Sequence, residues 1–170
     1  GGNVAQVMSV ASLFLSRVDT LVDKLLEEGG GDLLALRGRS AVAMARLAYQ
    51  AYQERFHGAA FEPLAGAGAR PQYMLWASTG TKNPAYSDLL YVEPLIGVET
   101  INTLPDATLA ALRDHGRVAA TLEEDIEQAA AHFSALAAAG IDMVAVGERL
   151  QQEGLAQFEQ AFAGLLALAA

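Results

Sequence analysis

Three short apolar segments, separated by helical patterns, constrain the fold of this chain most. They span residues 8–15, 72–77 and 98–104, and all three are of strand length and rich in large or β-branched side chains. Amphipathic helical patterns at about 18–28 and 40–56 follow the first segment. Because parallel strands need crossover connections of this kind, the sequence predicts an α/β fold with a parallel sheet covered by helices on both faces.

Helical patterns also account for most of the chain after the second strand. Pro105 and Asp106 suit the first turn of a helix, because proline loses no hydrogen bond there and a carboxylate meets the positive end of the helix dipole. Thr121 and Glu124 have the spacing of a capping box. The predicted helices lie at 86–93, from Pro105 to His115, from Thr121 to Ala139, at 142–152 and at 155–169.

Composition limits the classes of function. A length of 170 residues suits a single domain, residues 1–170. The formal charge of −9 argues against a partner that is a nucleic acid or an anionic membrane. With no cysteine, no disulfide framework or thiolate metal site is expected. No signal peptide or membrane-spanning run is recognisable, so we expect a cytoplasmic protein. The first residue is not methionine, which indicates either an expression scar or a piece of a longer chain.

Polar and cationic residues follow two of the predicted strands. Ser16 and Arg17 come after the first strand, and the stretch from Ser78 to Lys82 comes after the second. The carboxyl ends of parallel strands meet at one edge of a sheet, where ligands commonly bind. Two cations, several hydroxyls and the free amides of a helix start would together hold an anion, and phosphate fits best. Asn102, in the third strand, is a further candidate for the binding site at this edge of the sheet.

A structural reading of the same residues stays open. An arginine after a strand is commonly solvated, and a Ser-Thr-Gly-Thr-Lys-Asn-Pro stretch is commonly a simple turn. The chain has two lysines, and Lys24 belongs to the polar face of a helix. Lys82 is the local candidate for Schiff-base chemistry, but its polar loop favours a charged ammonium, so we interpret it as an anion-binding group.

The other titratable residues are given structural interpretations. His57, His115 and His132 lack metal-ligand spacing and are expected to be structural or exposed. Asp19 and Asp23 fall on the predicted polar face of a helix, where we expect them to be solvated rather than to act as an acid/base pair. No metal site is predicted.

Three stretches of the sequence resemble a known family. They are "SVASLFLSRVDT", "LRGRSAVAMARLAYQAYQERF" and, most specifically, "PQYMLWASTGTKNPAYSDLLYVEPLIGVETINTLPDATL". These stretches are similar to the carboxyl-terminal half of transaldolases. The pattern "WAST" followed by "KNP", "YVE" and "NTLP" resembles in particular the longer bacterial type, which includes fusions to glucose-6-phosphate isomerase.

The resemblance implies a fold and a reaction. Transaldolases are class I aldolase-type (β/α)8 TIM barrels, and this chain would supply strands 6–8 with additional carboxyl-terminal helices. The family transfers a dihydroxyacetone unit through a lysine Schiff base, without metal or cofactor, in the pentose phosphate pathway. Sedoheptulose 7-phosphate and glyceraldehyde 3-phosphate become erythrose 4-phosphate and fructose 6-phosphate.

The resemblance also implies site residues. Ser12, Phe14 and Arg17 match the serine, the aromatic residue and the phosphate-binding arginine at the end of the family's sixth strand. Ser78 matches a phosphate-contacting serine on the seventh. Shorter transaldolases have an arginine where this chain has Gly80, so Lys82 as the replacing cation is an inference rather than a match. The expected substrate-pocket residues are Ser12, Phe14 and Asn102, and the expected phosphate-binding residues are Arg17, Ser78 and Lys82.

The family's catalytic residues belong to strands that precede this chain. Its Schiff-base lysine and its acid/base carboxylates lie on earlier strands, so the chain alone is expected to be inactive. The expected partners are sugar phosphate substrates and either the amino-terminal half of the same protein or a second copy. Two alternatives remain: a non-catalytic phosphate-binding or helical interaction domain on a half barrel, and a complete aldolase that uses Lys82.

Overall fold

A small parallel sheet forms the centre of the molecule. The computed structural model of the chain describes residues 2–169. Within that range the strands β1 (Val10–Phe14), β2 (Tyr73–Ala77) and β3 (Thr100–Asn102) pair in the order β1-β2-β3, and both pairings are parallel. Ser12 lies beside Leu75, and Leu75 lies beside Ile101. The predicted parallel α/β arrangement is therefore confirmed, but the strands are shorter than expected: β1 has five residues rather than eight, and β3 has three rather than seven.

Helices make up most of the remaining chain. The predicted bounds are confirmed for α2, whereas α4 begins one residue later and α1 three residues earlier than expected. The α-helices are α1 (Leu15–Gly29), α2 (Ser40–Phe56), α3 (Glu62–Gly66), α4 (Asp106–His115), α5 (Ile126–Ala138) and α6 (Met143–Ala169), and short 3₁₀ turns lie at Val4–Gln6, Gly31–Leu36 and Glu93–Leu95. No single helix in residues 2–169 has the length and hydropathy to cross a bilayer; α5 and α6 reach these limits only when they are counted together, across a bend of 87°.

Three predicted helical features are wrong. Residues 86–93 form a series of turns, and only the 3₁₀ turn that follows is helical. The Thr121 hydroxyl donates to the Glu93 carbonyl instead of capping a helix, and α5 begins after Asp125, whose φ is 54°. The predicted break near residue 154 does not exist, because an interior glycine weakens a helix without ending it.

The core lies on one face of the sheet only. Met74 and Trp76 point from β2 into a cluster that includes Leu15 and Val22 of α1 and Tyr49 of α2. The opposite face carries the alternate residues of each strand, as the two-residue period of a strand requires.

This opposite face is left open by the described residues, so the prediction that helices cover both faces is wrong. Val10 and Phe14 of β1 are 42% and 46% exposed, and Tyr73 of β2 is 37% exposed. We call the surface formed by Val10, Ser12, Phe14, Tyr73 and Ile101 the open face.

Candidate functional site

The end of β1 leads into α1 without a loop. Leu15 follows the last strand residue directly, so Ser16 and Arg17 lie in the first turn of the helix rather than in a loop beyond the strand. The Ser16 amide donates to the Ser78 carbonyl at 3.0 Å, and the two serine hydroxyls lie 2.9 Å apart. These bonds hold the carboxyl ends of β1 and β2 together at the point where α1 begins.

Ser78 has an unusual backbone conformation. Its φ of 55° is in the left-handed region, which residues other than glycine adopt at a cost of about 1–3 kcal/mol. The next residue, Thr79, is fully buried and donates from its hydroxyl to the Thr103 carbonyl at 2.7 Å. The surrounding hydrogen bonds therefore hold Ser78 in a strained backbone conformation at the carboxyl end of β2.

A cleft of about 480 Å³ opens at this point. It is bounded by α1, by the start of the β2–β3 connection and by α6, and it brings the predicted residues Arg17, Ser78 and Lys82 together. We call it the cationic cleft. Its polar lining comprises Ser16, Arg17, Thr20, Lys24, Ser78, Lys82, Arg149, Glu153 and Gln157. Lys24 is exposed, as expected, but its place in this cleft was not predicted.

A second cleft, of about 550 Å³, lies between the open face and α6. Ser12, Phe14 and Arg17 line it together, so these three predicted residues are also neighbours. The guanidinium carbon of Arg17 lies 5.4 Å from the centroid of the Phe14 ring, within the range of a cation–π contact. Arg17 therefore belongs to both clefts and connects the cationic cleft with the open face.

Asn102 is not brought to this region. In the sheet register it lies beside Trp76, which faces the buried core, whereas Ser12 belongs to the open face. Its side-chain amide donates to the Tyr91 carbonyl at 3.2 Å, and its buried Oδ1 has no hydrogen-bond partner among the described residues. The structure thus places Asn102 on the opposite side of the sheet from Ser12 and Phe14.

Asp19 and Asp23 are buried, contrary to the expectation that they are solvated. They are only 2% and 8% exposed. Asp19 accepts hydrogen bonds from the Ala41 amide at 2.8 Å and from the Tyr91 hydroxyl at 2.9 Å. Its burial raises the pKa of Asp19 to about 6.

Asp23 is held in the same way, one turn later in α1. It accepts from the Gly38 amide at 2.9 Å and from the Tyr86 hydroxyl at 2.7 Å. Burial is the main cause, and the hydrogen bond to Asp23 the second, of a rise in the pKa of Tyr86 to about 12. Gly38 has a φ of 69°, and a Cβ there would come within 2.9 Å of the Tyr86 ring, so this packing requires glycine. The two aspartates thus join α1 to the start of α2 and to the connection that carries Lys82.

The histidines have structural or exposed positions, as expected. His132 is buried, and its Nε2 lies 2.9 Å from the Ser40 hydroxyl. His57 is paired with Glu99 at 2.6 Å, and His115 is exposed. Across residues 2–169, no group of three His, Asp or Glu side chains is placed to hold a metal ion.

Comparison with known proteins identifies the family. The profile of the "Transaldolase/Fructose-6-phosphate aldolase" family matches residues 3–169. Relatives include the transaldolases of Thiobacillus denitrificans, 59% identical over 168 residues, and Neisseria gonorrhoeae, 48% identical over 167 residues. Each alignment covers 98% of this chain but only 47% and 46% of the relative, so the chain spans about half the length of these proteins. With nearly every described residue inside the matched region, this chain belongs to the transaldolase/fructose-6-phosphate aldolase family.

Proposed function

We propose that residues 1–170 form the carboxyl-terminal half of a transaldolase barrel of the longer bacterial type and supply the phosphate-binding side of its active site. The proposed reaction transfers a dihydroxyacetone unit between sugar phosphates, from sedoheptulose 7-phosphate to glyceraldehyde 3-phosphate. One observation carries the proposal: Arg17, Ser78 and Lys82 meet in the cationic cleft at the carboxyl ends of β1 and β2. The family membership and the relatives named as transaldolases support it.

The chemistry of the cationic cleft suits a phosphate monoester. Four cationic side chains line it, from Arg17, Lys24, Lys82 and Arg149, and its lining carboxylate Glu153 already pairs with Arg149. Of the hydroxyl groups in the same space, that of Thr20 donates to the Ser16 carbonyl, and those of Ser16 and Ser78 bond to each other, so one serine hydroxyl keeps a free donor. Guanidinium and ammonium groups form strong, charge-assisted hydrogen bonds to phosphate oxygens, which neutral sugars cannot match.

The open face suits the interior of a closed barrel. In such a barrel β1, β2 and β3 would be strands 6–8, and the open face would line the lumen, where small polar and aromatic residues such as Ser12 and Phe14 would contact the sugar. The exposure of Val10, Phe14 and Tyr73 side by side supports this arrangement, because a contiguous exposed apolar patch usually marks a contact surface.

The Schiff-base lysine of this proposal lies outside residues 1–170. Lys24 and Lys82 are both exposed and line the cationic cleft together with Arg17. We therefore assign both a role in charge complementarity. A nucleophilic lysine, the catalytic carboxylates and the remaining strands would come from the part of the relatives that this chain does not match.

The test is Arg17→Ala in the full-length protein that carries this sequence. Loss of a charge-assisted hydrogen bond, worth about 1.5–3 kcal/mol, should raise KM for fructose 6-phosphate roughly ten- to a hundredfold. A matching fall in kcat would show that the contact also strengthens in the transition state. Arg113→Ala, an exposed arginine at the end of α4, is the matched control and should change neither constant.

An unphosphorylated donor sharpens this test. Fructose lacks the phosphate, so Arg17→Ala should change its much weaker turnover little. The variant would thus lose preference for the phosphorylated sugar. Unchanged kinetics with fructose 6-phosphate in both Arg17→Ala and Lys82→Ala would remove the proposed phosphate site.

A further inference from the structure

We propose that Arg149 of α6 is an additional phosphate-binding residue and that Glu153 forms an ion pair with it while no phosphate is bound. This inference rests on the proposed function, because it concerns the same cationic cleft. Arg149 lines that cleft together with Arg17 and Lys82, although it comes from a helix more than 130 residues away from Arg17 in sequence. The site would then be formed by two helices and one connection rather than by strand ends alone.

The pairing of Arg149 leaves it able to bind another group. Its Nε donates to Oε1 of Glu153 at 2.8 Å, one helical turn later. Both side chains are about half exposed, at 50% and 49%, and exposed ion pairs of this kind are weak. A guanidinium has five N–H donors, so the bond from Nε leaves the two terminal nitrogens of Arg149 able to donate to a phosphate.

The packing of α6 brings it directly against Arg17. At Gly154, a Cβ would lie 3.7 Å from Nη1 of Arg17, so any longer side chain would compete with the guanidinium for space. Gly147 and Gly154, two turns apart, both line the second cleft, where α6 crosses β1 and α1. This close crossing places Arg149 and Arg17 on two helices that border the same cleft.

Glu153 opposes an incoming anion. Its carboxylate lines the cationic cleft and would repel a phosphate dianion while it neutralises Arg149. Removing the arginine and removing the carboxylate should therefore have opposite effects on phosphate binding. A pair that served only to stabilise α6 would give effects of the same sign, because either change would break the same contact.

The experiment compares Arg149→Ala and Glu153→Gln in the full-length protein. The readouts are KM for fructose 6-phosphate and the inhibition constant of inorganic phosphate. For half-exposed groups we expect Arg149→Ala to raise both constants about two- to tenfold and Glu153→Gln to lower both by about twofold or more. Both changes should grow at low ionic strength, since salt screens exposed charges.

Matched variants control for net charge. Arg113→Ala removes a remote exposed arginine, and Glu148→Gln removes an exposed carboxylate of α6 that does not line the cleft. Arg149→Lys keeps the positive charge but lacks the forked, multi-donor guanidinium, so its KM and inhibition constant should lie between those of wild type and Arg149→Ala. If Arg149→Ala can be studied only at low temperature, Arg149→Lys and Glu153→Gln still give opposite signs under the proposal.

Two results would overturn the inference. One is that Arg149→Ala and Glu153→Gln behave like their controls; the other is that both variants weaken binding. Arg17→Ala, run in parallel, separates the two proposals. If Arg17→Ala weakens binding while the α6 variants do not, only the role of Arg149 fails. If Arg17→Ala and Lys82→Ala also have no effect, the phosphate site itself fails.

Discussion

Asp19 is buried between helices, and only 2% of its surface is exposed. Hydrogen bonds from the Ala41 amide and the Tyr91 hydroxyl compensate its burial in part, but desolvation still dominates and raises its pKa from 3.8 to about 6. The residue is therefore mostly ionised at neutral pH and becomes protonated under mildly acidic conditions. Asp19 makes the stability of this helical packing sensitive to pH.

The expected pH dependence follows from that raised pKa. Between pH 3.8 and about 6 the folded state holds more protons on Asp19 than the unfolded state, so this group raises the free energy of unfolding as the pH falls through that window. The full contribution is about 3 kcal/mol. Asp19→Asn should remove it, which urea unfolding at several pH values would reveal as a flatter profile. The control is Asp32→Asn at an exposed position; identical profiles for wild type and Asp19→Asn would contradict this assignment.

At the scale of the elements, the β2–β3 connection is fastened to α1 by tyrosine hydroxyls. Tyr91→Phe deletes the donor to the buried Asp19 carboxylate and should lower the free energy of unfolding by about 1.5–3 kcal/mol. Tyr73→Phe removes the hydroxyl of a tyrosine that is 37% exposed and should change it little. Denaturant unfolding measures both. An equal, small loss in the two variants would mean that the Tyr91 bond does not hold the connection.

The strands and their convergence were predictable because they depend on local patterns and on a general rule. Short apolar segments joined by helices give parallel strands, and the ends of parallel strands share one edge of the sheet. That rule alone indicated that Arg17 and the segment from Ser78 to Lys82 would lie together, as they do in the cationic cleft. The bounds of α2 were predicted for the same reason, since its apolar stripe has a regular helical period.

The burial of Asp19 and Asp23 could not be predicted, because their partners are far away in sequence. Tyr91 and Tyr86 follow them by 72 and 63 residues, and nothing near the aspartates indicates these contacts. The place of Arg149 was missed for a related reason: it depends on how α6 crosses α1, which a periodic pattern does not specify. The side of the sheet that Asn102 faces could not be predicted, because a strand residue can face either side. Only its register position beside Trp76 places it on the core side rather than with Ser12 and Phe14.

At the scale of the whole molecule, the open face predicts association. Val10, Phe14 and Tyr73 expose apolar surface on a sheet in which, within residues 2–169, the edge strands β1 and β3 each pair with a strand on one side only. We expect this chain, by itself at micromolar concentration, to form dimers or larger species in light scattering. Val10→Lys should reduce that association, whereas Val118→Lys, at a position 80% exposed and outside the open face, should not. A monomeric chain with a sharp thermal transition would contradict the half-barrel account.

Locating the proposed Schiff base tests most directly whether this chain supplies the phosphate-binding side of the site. The full-length protein is treated with borohydride in the presence of fructose 6-phosphate, digested, and searched by mass spectrometry for a lysine that carries a reduced three-carbon adduct. Lys24 and Lys82 are the lysines of residues 1–170, so the assignment is unambiguous. If this chain supplies the phosphate-binding side of the site, the adduct lies on a lysine outside these residues, and the chain alone gives none. An adduct on Lys82 would contradict the account and make this chain a lysine-dependent aldolase in its own right.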